Sequence, residues 1–262
     1  MCRLLAVSTR DDRPLAEAYS EQFEAFTSQS CLHTDGWGLA WYENGHLSTG
    51  RDIDEAHASG LYRDLTTHRA RGPIMLAHLR KASEGLATEI ANTHPFTDGD
   101  IAFAHNGEFD LSDALRRAVL DRGGRTPFGT TDTELFFSLL TRCAADADLT
   151  DASPLADWAR AVQQAARDIT GLVLAHGTRP PESLNCVLTT PRGFVAYTQW
   201  DPEQSKPPKK YGDYHLDFRA EAERVVVVSS GVDTSGYERL EQGEALAVTA
   251  GTLTAERIAA LG

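Results

Sequence analysis

Strand-like runs dominate the hydrophobic pattern of the chain. Cys2 to Ser8 begins directly at the amino terminus. Trp37 to Glu43 and His46 to Gly50 flank Asn44-Gly45, a dipeptide suited to the positive φ angles of a two-residue hairpin turn. Pro73 to Arg80 and Ile101 to Phe109 are further apolar strands. Leu184 to Thr190 and Phe194 to Trp200 flank Pro191-Arg192-Gly193, a second hairpin signal. Tyr214 to Phe218, Arg224 to Ser230 and Ala245 to Ala250 complete the set. Val225 to Val228 is apolar without interruption, which predicts a strand covered on both faces.

Between these runs the period changes to about 3.6 residues, predicting helices over Leu15 to Phe26, Asp54 to His68, Ser112 to Asp121, Asp132 to Ala145 and Leu155 to Thr170. Hairpins outnumber strand–helix–strand units, so the sheets should be mainly antiparallel with helices outside them. That is an α+β architecture, with two sheets face to face between helix layers. Asp201 to Tyr211, rich in Pro and Lys, reads as an exposed loop. The elements use the whole chain, so residues 1–262 are expected to form a single domain.

Composition narrows the function. Of 262 residues, 41% are hydrophobic and 24% charged, ordinary for a globular chain, and the formal net charge is −13. Nucleic-acid binding rests on Lys and Arg neutralising phosphates, so so acidic a chain is a poor candidate. The cysteines, at 2, 31, 143 and 186, form neither a C-x-x-C pair nor a dense disulfide scaffold. Cys31 and His33 alone do not make a zinc site; no metal and no cofactor are expected. Leu4 to Val7 is too short an apolar stretch for a signal-peptide core or a membrane span. The expectation is a cytoplasmic protein with free thiols.

Four segments carry candidate chemistry. The first is Cys2. Initiator methionine is generally removed before a small residue, which would leave a cysteine with both a thiol and a free α-amine. The amine titrates near pH ~7.7–8.0 and the thiol near ~8.5, so the amine can accept the thiol proton within one residue. A plain buried small residue is the competing reading. In AHNGEF (Ala104 to Phe109), Asn106 offers a side-chain NH₂ and Gly107 an unobstructed backbone N–H, the donors an oxyanion needs. The same dipeptide is also a common turn. In AHLRKAS (Ala77 to Ser83), Arg80 carries a forked donor set that fits a carboxylate, unless it is an ordinary surface arginine. In TDTELFF (Thr131 to Phe137), a capping-box spacing places Asp132 in a first helical turn, where it could bind an ammonium or only complement the helix dipole. Singly each is weak. Together they supply a thiolate, an oxyanion hole, and an arginine and an aspartate for the two charges of a free amino acid.

Met-Cys at the start, DGWG at Asp35 to Gly38, HLR ending at Arg80, NTHPF at Asn92 to Phe96, AHNGEF and TDTE occur in an order that resembles the class II glutamine amidotransferase domain. The run VVVVSSGVDTSGYERLEQGEALAV from Val225 is similar to the end of stand-alone members. The resemblance implies the four-layer αββα sandwich of N-terminal-nucleophile hydrolases. It implies Cys2 as nucleophile with its own amine as base, and Asn106 and Gly107 as the oxyanion hole. Arg80 would hold the α-carboxylate of a glutamyl group and Asp132 its α-amine, with release of ammonia or another amine through a γ-glutamyl thioester. Many larger relatives carry Trp after the Arg and Thr-His a little further on. Here the run is Lys81-Ala82-Ser83-Glu84, leaving Ser83 as a further candidate contact. No synthetase segment is visible. The ammonia would pass to a partner synthetase, or the enzyme would cleave a γ-glutamyl conjugate, like the small γ-glutamyl hydrolase of ergothioneine biosynthesis, which is similar in size and opening residues. A non-catalytic binding module on the same fold is the third alternative. His33, His78, His94 and His105 cluster near the motifs; with an amine as base they are expected to be structural or supporting groups, a Cys–His pair being the other option.

Overall fold

The computed structural model describes residues 2–83, 85–177, 179–204 and 214–262. Two antiparallel sheets carry the fold. The first has strands β1 (Arg3–Thr9), β2 (Trp37–Glu43), β3 (His46–Asp52), β4 (Ile74–Leu79), β9 (Leu216–Ala220), β10 (Arg224–Ser229) and β11 (Glu238–Arg239). The second has β5 (Phe96–Asp98), β6 (Ile101–Glu108), β7 (Ser183–Thr190), β8 (Gly193–Tyr197), β12 (Ala245–Thr249) and β13 (Thr254–Ile258). Their orders are β11-β9-β10-β1-β4-β2-β3 and β13-β12-β8-β7-β6-β5. β1 thus lies in the interior of its sheet, held by β4 on one side and β10 on the other.

Strand alternation sorts the apolar residues into three layers. Leu4 and Ala6 of β1 join Leu76 of β4 and Ala102 and Ala104 of β6 in a cluster between the sheets. Leu5 and Val7 point the other way, under α1 (Leu15–Ala18), α2 (Phe23–Ser28) and α3 (Gly60–Asp64). Phe103 of β6 faces α4 (Asp113–Leu120), α5 (Asp132–Asp146) and α6 (Leu155–His176). The result is the expected helix–sheet–sheet–helix sandwich. Val225 and Val227 fill the inter-sheet cluster while Val226 and Val228 fill the outer one, so β10 is covered on both faces as its sequence predicts.

Several boundaries differ from the expectation, each for a local reason. The helix predicted over Leu15 to Phe26 is two short pieces. The Arg224 guanidinium takes the Ala18 carbonyl at 2.9 Å, and Gln22 N–H turns back to Tyr19 O at 3.2 Å. The helix predicted from Asp54 starts only at Gly60, where Ser59 Oγ accepts from Tyr62 N–H, and it ends in a π turn over Leu65–Arg69. α6 runs on to His176. β8 stops at Tyr197, before the predicted Trp200. The strand expected from Tyr214 begins at Leu216. Of the predicted loop Asp201 to Tyr211, Pro202–Gln204 is a short 3₁₀ turn and residues 205–211 lie outside the described residues. Strands β5, β11 and β13 have no counterpart in the hydrophobic pattern. β13 is an edge strand with Glu256 and Arg257 exposed, and charged edges of that kind guard against pairing with other chains.

Among the described residues no helix is long and apolar enough to cross a membrane, and no group of three His, Cys, Asp or Glu side chains is arranged to hold a metal ion.

Candidate active site

Three strands end at one place. Extending the alternation of β1 by one residue puts Cys2 on the same side as Leu4, facing the second sheet. In β4, His78 and then Arg80 follow Leu76 on that side; in β6, Asn106 follows Ala104. The inter-sheet layer therefore changes from small apolar side chains to a thiol, an imidazole, a guanidinium and a carboxamide.

Cys2 is buried. Its thiol contacts the Lys81 main chain, donating toward the carbonyl at 3.5 Å and accepting from the N–H at 3.4 Å. Burial pushes the thiol up from its ordinary range, and the Lys81 N–H and the Arg80 charge pull against it. Arg3 donates to the Cys2 carbonyl at 3.1 Å and to Gln29 Oε1 at 2.5 Å, fixing the entry to β1.

Arg80 is 2% exposed and gives hydrogen bonds to two main-chain carbonyls, Asp35 O at 3.2 Å and Ala87 O at 3.1 Å. Among the described residues no carboxylate pairs with it. The DGWG segment builds this corner: Asp35 Oδ2 accepts from Ala82 N–H at 2.8 Å, and Gly36 O accepts from Arg80 N–H at 2.8 Å. Gly36 has φ +120°, and a Cβ there would overlap Asp52 O.

Asp132 begins α5, capped by Thr131, whose Oγ accepts from Glu134 N–H at 3.3 Å. The reciprocal half of the expected capping box is not made. Glu134 instead pairs with Arg125 and accepts from Phe128 and Gly129 N–H. Asp132 is buried and accepts from Phe109 N–H at 3.2 Å and Thr133 N–H at 2.8 Å. Burial raises its pKa, the two N–H donors offset part of the shift, and no cation pairs with it among the described residues.

Neither amide atom of Asn106 has a hydrogen-bond partner, although the residue is fully buried. A buried unsatisfied amide costs about 1–3 kcal/mol. Gly107, next along β6, packs so closely on the Ser183 carbonyl that a Cβ would overlap it. Ser83 Oγ donates to Glu108 Oε2 at 3.0 Å, and Arg179 binds Glu108 at 3.1 Å and Asp110 at 3.1 Å.

Cys2, Arg80, Ser83, Gly107 and Asp132 line a single cavity, with His94, His105, Thr131 and Thr133 also in its wall. Its volume, about 20 Å³, has room for about one water molecule, so a larger guest enters only when the surrounding side chains shift. A larger hollow of about 640 Å³ beside α5 and α6 touches none of the candidate residues; size does not select the site.

The four imidazoles near the motifs, His33, His78, His94 and His105, are all buried. His33 Nδ1 lies 2.6 Å from Gln29 O, and burial lowers its pKa to about 4. Burial lowers His78 to about 3, holds His94 well below its ordinary value and depresses His105. No imidazole is hydrogen-bonded to the Cys2 thiol among the described residues. The structure thus sets Cys2, Arg80, Ser83, Gly107 and Asp132 around one cavity, while Asn106, the residue before Gly107 on β6, is not among the residues that line it. It adds Asp35, Glu108 and Thr133, which sequence reasoning did not single out, although Asp35, Glu108 and Thr133 sit inside the DGWG, AHNGEF and TDTE motifs.

The family described as Glutamine amidotransferases class-II matches residues 1–260. The chain belongs to the class II glutamine amidotransferases. It is similar to a putative glutamine amidotransferase of Escherichia coli K12, 30% identical over 144 residues, covering 53% of this chain and 54% of that one. It is also similar to the gamma-glutamyl-hercynylcysteine sulfoxide hydrolase of Mycobacterium tuberculosis CDC 1551, 33% identical over 96 residues, covering 35% of this chain and 36% of that one. The first curated relatives are matched over only 32%, 46% and 54% of their own lengths. A solved glutamine aminotransferase class-II domain protein from Silicibacter pomeroyi superposes with TM-score 0.68 at 20% identity, covering 100% of both chains, and shares the N-terminal-nucleophile fold.

Proposed function

We propose that the chain hydrolyses the side-chain amide of a γ-glutamyl compound, glutamine being the simplest, with Cys2 as an N-terminal nucleophile. The observation that carries this reading is the set of buried groups without opposite partners around one thiol. Among the described residues Arg80 has no anion and Asp132 no cation, both in the cavity wall with Cys2, and the amide of Asn106, next to Gly107 on β6, has no partner. A buried charge is costly unless it is paired. A bound amino acid supplies a carboxylate to Arg80 and an ammonium to Asp132, and its γ-carbonyl then lies toward Cys2.

With Met1 removed, the Cys2 α-amine takes the thiol proton and the thiolate adds to the γ-carbonyl. Asn106 Nδ2 and the Gly107 N–H hold the oxyanion. Collapse delivers the proton to the departing nitrogen, which leaves as ammonia or an amine, and Cys2 carries a γ-glutamyl thioester. Water, deprotonated by the same amine, adds to the thioester and releases glutamate and the free thiol. The neutral, low-pKa histidines of the wall take no proton in this scheme.

The fate of the nitrogen separates two versions. In one, ammonia passes to a partner synthetase; in the other, the substrate is a γ-glutamyl conjugate with a larger leaving amine, a version supported by the similarity to the mycobacterial hydrolase. The test is glutamate release from L-glutamine and from γ-glutamyl amines of increasing size, with Cys2→Ala as control. Cys2-dependent release from any of them supports the reading, and the preferred substrate chooses the version. No release from the whole series, with Met1 absent from the protein, overturns it.

A further inference from the structure

The wall behind the cavity holds a directed hydrogen-bond chain, and its direction follows from the acceptors at its end. His105 Nε2 lies 2.9 Å from the Ser183 carbonyl, which only accepts, so this nitrogen carries the proton. His105 is buried, and its pKa is depressed by that burial, so it is neutral near pH 7 and its Nδ1 is an acceptor. Thr133 Oγ1, 3.0 Å from that Nδ1, therefore donates to it. The same oxygen is 2.9 Å from His94 Nε2 and must accept from it. The donors in order are His94, Thr133 and His105, and the chain ends on the Ser183 carbonyl as acceptor.

Two members of this chain bear on the candidate machinery. Ser183 pairs with the end of β6: its Oγ donates to the Asn106 carbonyl at 2.9 Å, and its own carbonyl is the atom against which Gly107 packs. Thr133 follows Asp132 in the first turn of α5, and its N–H donates to the Asp132 carboxylate at 2.8 Å. We infer that Thr133 is a positioning residue whose hydroxyl, set between His94 and His105, locks the strand end bearing Asn106 and Gly107 in register with the helix start bearing Asp132. The inference rests on the function proposed above. It assigns Thr133 no contact with the reacting atoms; it acts through His105 and Ser183.

The carboxylate keeps its second N–H donor, Phe109, without the threonine hydroxyl, so loss of the hydroxyl falls on the oxyanion donors more than on substrate binding. Oxyanion donors act in the transition state, and small misplacements are felt strongly there. Thr133→Val, which keeps the shape and removes the hydroxyl, is expected to lower kcat roughly 10–100-fold with KM changed less than about threefold. Thr133→Ser, which restores the hydroxyl without the methyl, is expected to return kcat to within about threefold of the parent. In histidine-¹⁵N-labelled protein, the His105 Nδ1 resonance should show an unprotonated acceptor and should move in Thr133→Val but not in Thr133→Ser.

An unchanged kcat in Thr133→Val overturns the inference. So does an equal loss in the serine variant, which would mean the methyl group acts by packing. A parent protein that turns over no γ-glutamyl compound overturns the proposed function instead. The ¹⁵N spectra then decide the chain alone, since a His105 signal indifferent to the valine change would show that the hydroxyl does not hold it.

Discussion

The inter-sheet layer has a middle and an end, built from the same strands with the same alternation. In the middle, Leu4, Ala6, Leu76, Ala102, Ala104 and Ala196 belong to one apolar cluster across the two sheets. At the end, Cys2, His78, Arg80 and Asn106 occupy the next positions of β1, β4 and β6, equally buried. The middle gains from every contact, since burying apolar side chains and excluding water act in one direction. The end holds groups that burial penalises, and neither amide atom of Asn106 has a hydrogen-bond partner among the described residues. One layer therefore holds both an apolar core and a cluster of buried polar groups.

That contrast sets what substitutions should do. The largest effect is expected for Cys2→Ala, which should abolish release of glutamate while the melting temperature stays within a few degrees; a variant that keeps its activity would remove Cys2 from the chemistry. Asn106→Ala should lower kcat roughly 10²–10³-fold, as expected for an oxyanion donor, without loss of folded protein. If it instead changes only the melting temperature, Asn106 belongs with the middle and not with the end. Arg80→Lys should raise KM strongly, since a point charge does not reproduce the fork. Steady-state kinetics at saturating and limiting substrate separate that outcome from a change in kcat.

The acid limb of KM sharpens the same point. Burial raises the pKa of Asp132, so the carboxylate gains its proton at a higher pH than an ordinary aspartate, and the ammonium of the substrate is lost as a partner on the way down. KM should therefore climb above the usual carboxylate range as pH falls, and Asp132→Asn should give a high KM with that limb absent. The Glu108 carboxylate is a neighbouring charge that raises the Asp132 pKa, so Glu108→Gln serves as the control. The smallest effect on chemistry should come from the middle. Ala196→Leu, overpacking the layer away from the thiol, should cost about 1–3 kcal/mol of stability while kcat per folded molecule is unchanged. A fall in kcat would show that the two parts of the layer are coupled.

The contrast also explains what could be read from the sequence. Strands such as β2, flanked by Asn44-Gly45, and β10, apolar on both faces, announce themselves because packing and turn chemistry act on adjacent positions. The break between α1 and α2 does not, because it depends on Arg224, distant along the chain, taking the Ala18 carbonyl. Edge strand β13 is hidden for the opposite reason, since its outward charges erase the hydrophobic signal. At the site, Cys2, Arg80, Asn106, Gly107 and Asp132 stand out by residue type, and the motif order ties them to one family. Thr133 does not stand out. Beside Asp132 it looks like part of a helix start, and only the approach of β6 and the segment carrying His94 to that turn reveals what its hydroxyl joins. Glu134 has the spacing of a capping box, yet Arg125 draws its carboxylate elsewhere.

The central claim is a mature N-terminal cysteine that attacks a bound glutamyl side chain, and intact mass spectrometry of the protein before and after treatment with 6-diazo-5-oxo-L-norleucine tests it most directly. The account predicts a mass lacking Met1 and, after treatment, one adduct that maps to Cys2. A protein that retains Met1 and leaves Cys2 unmodified would contradict it.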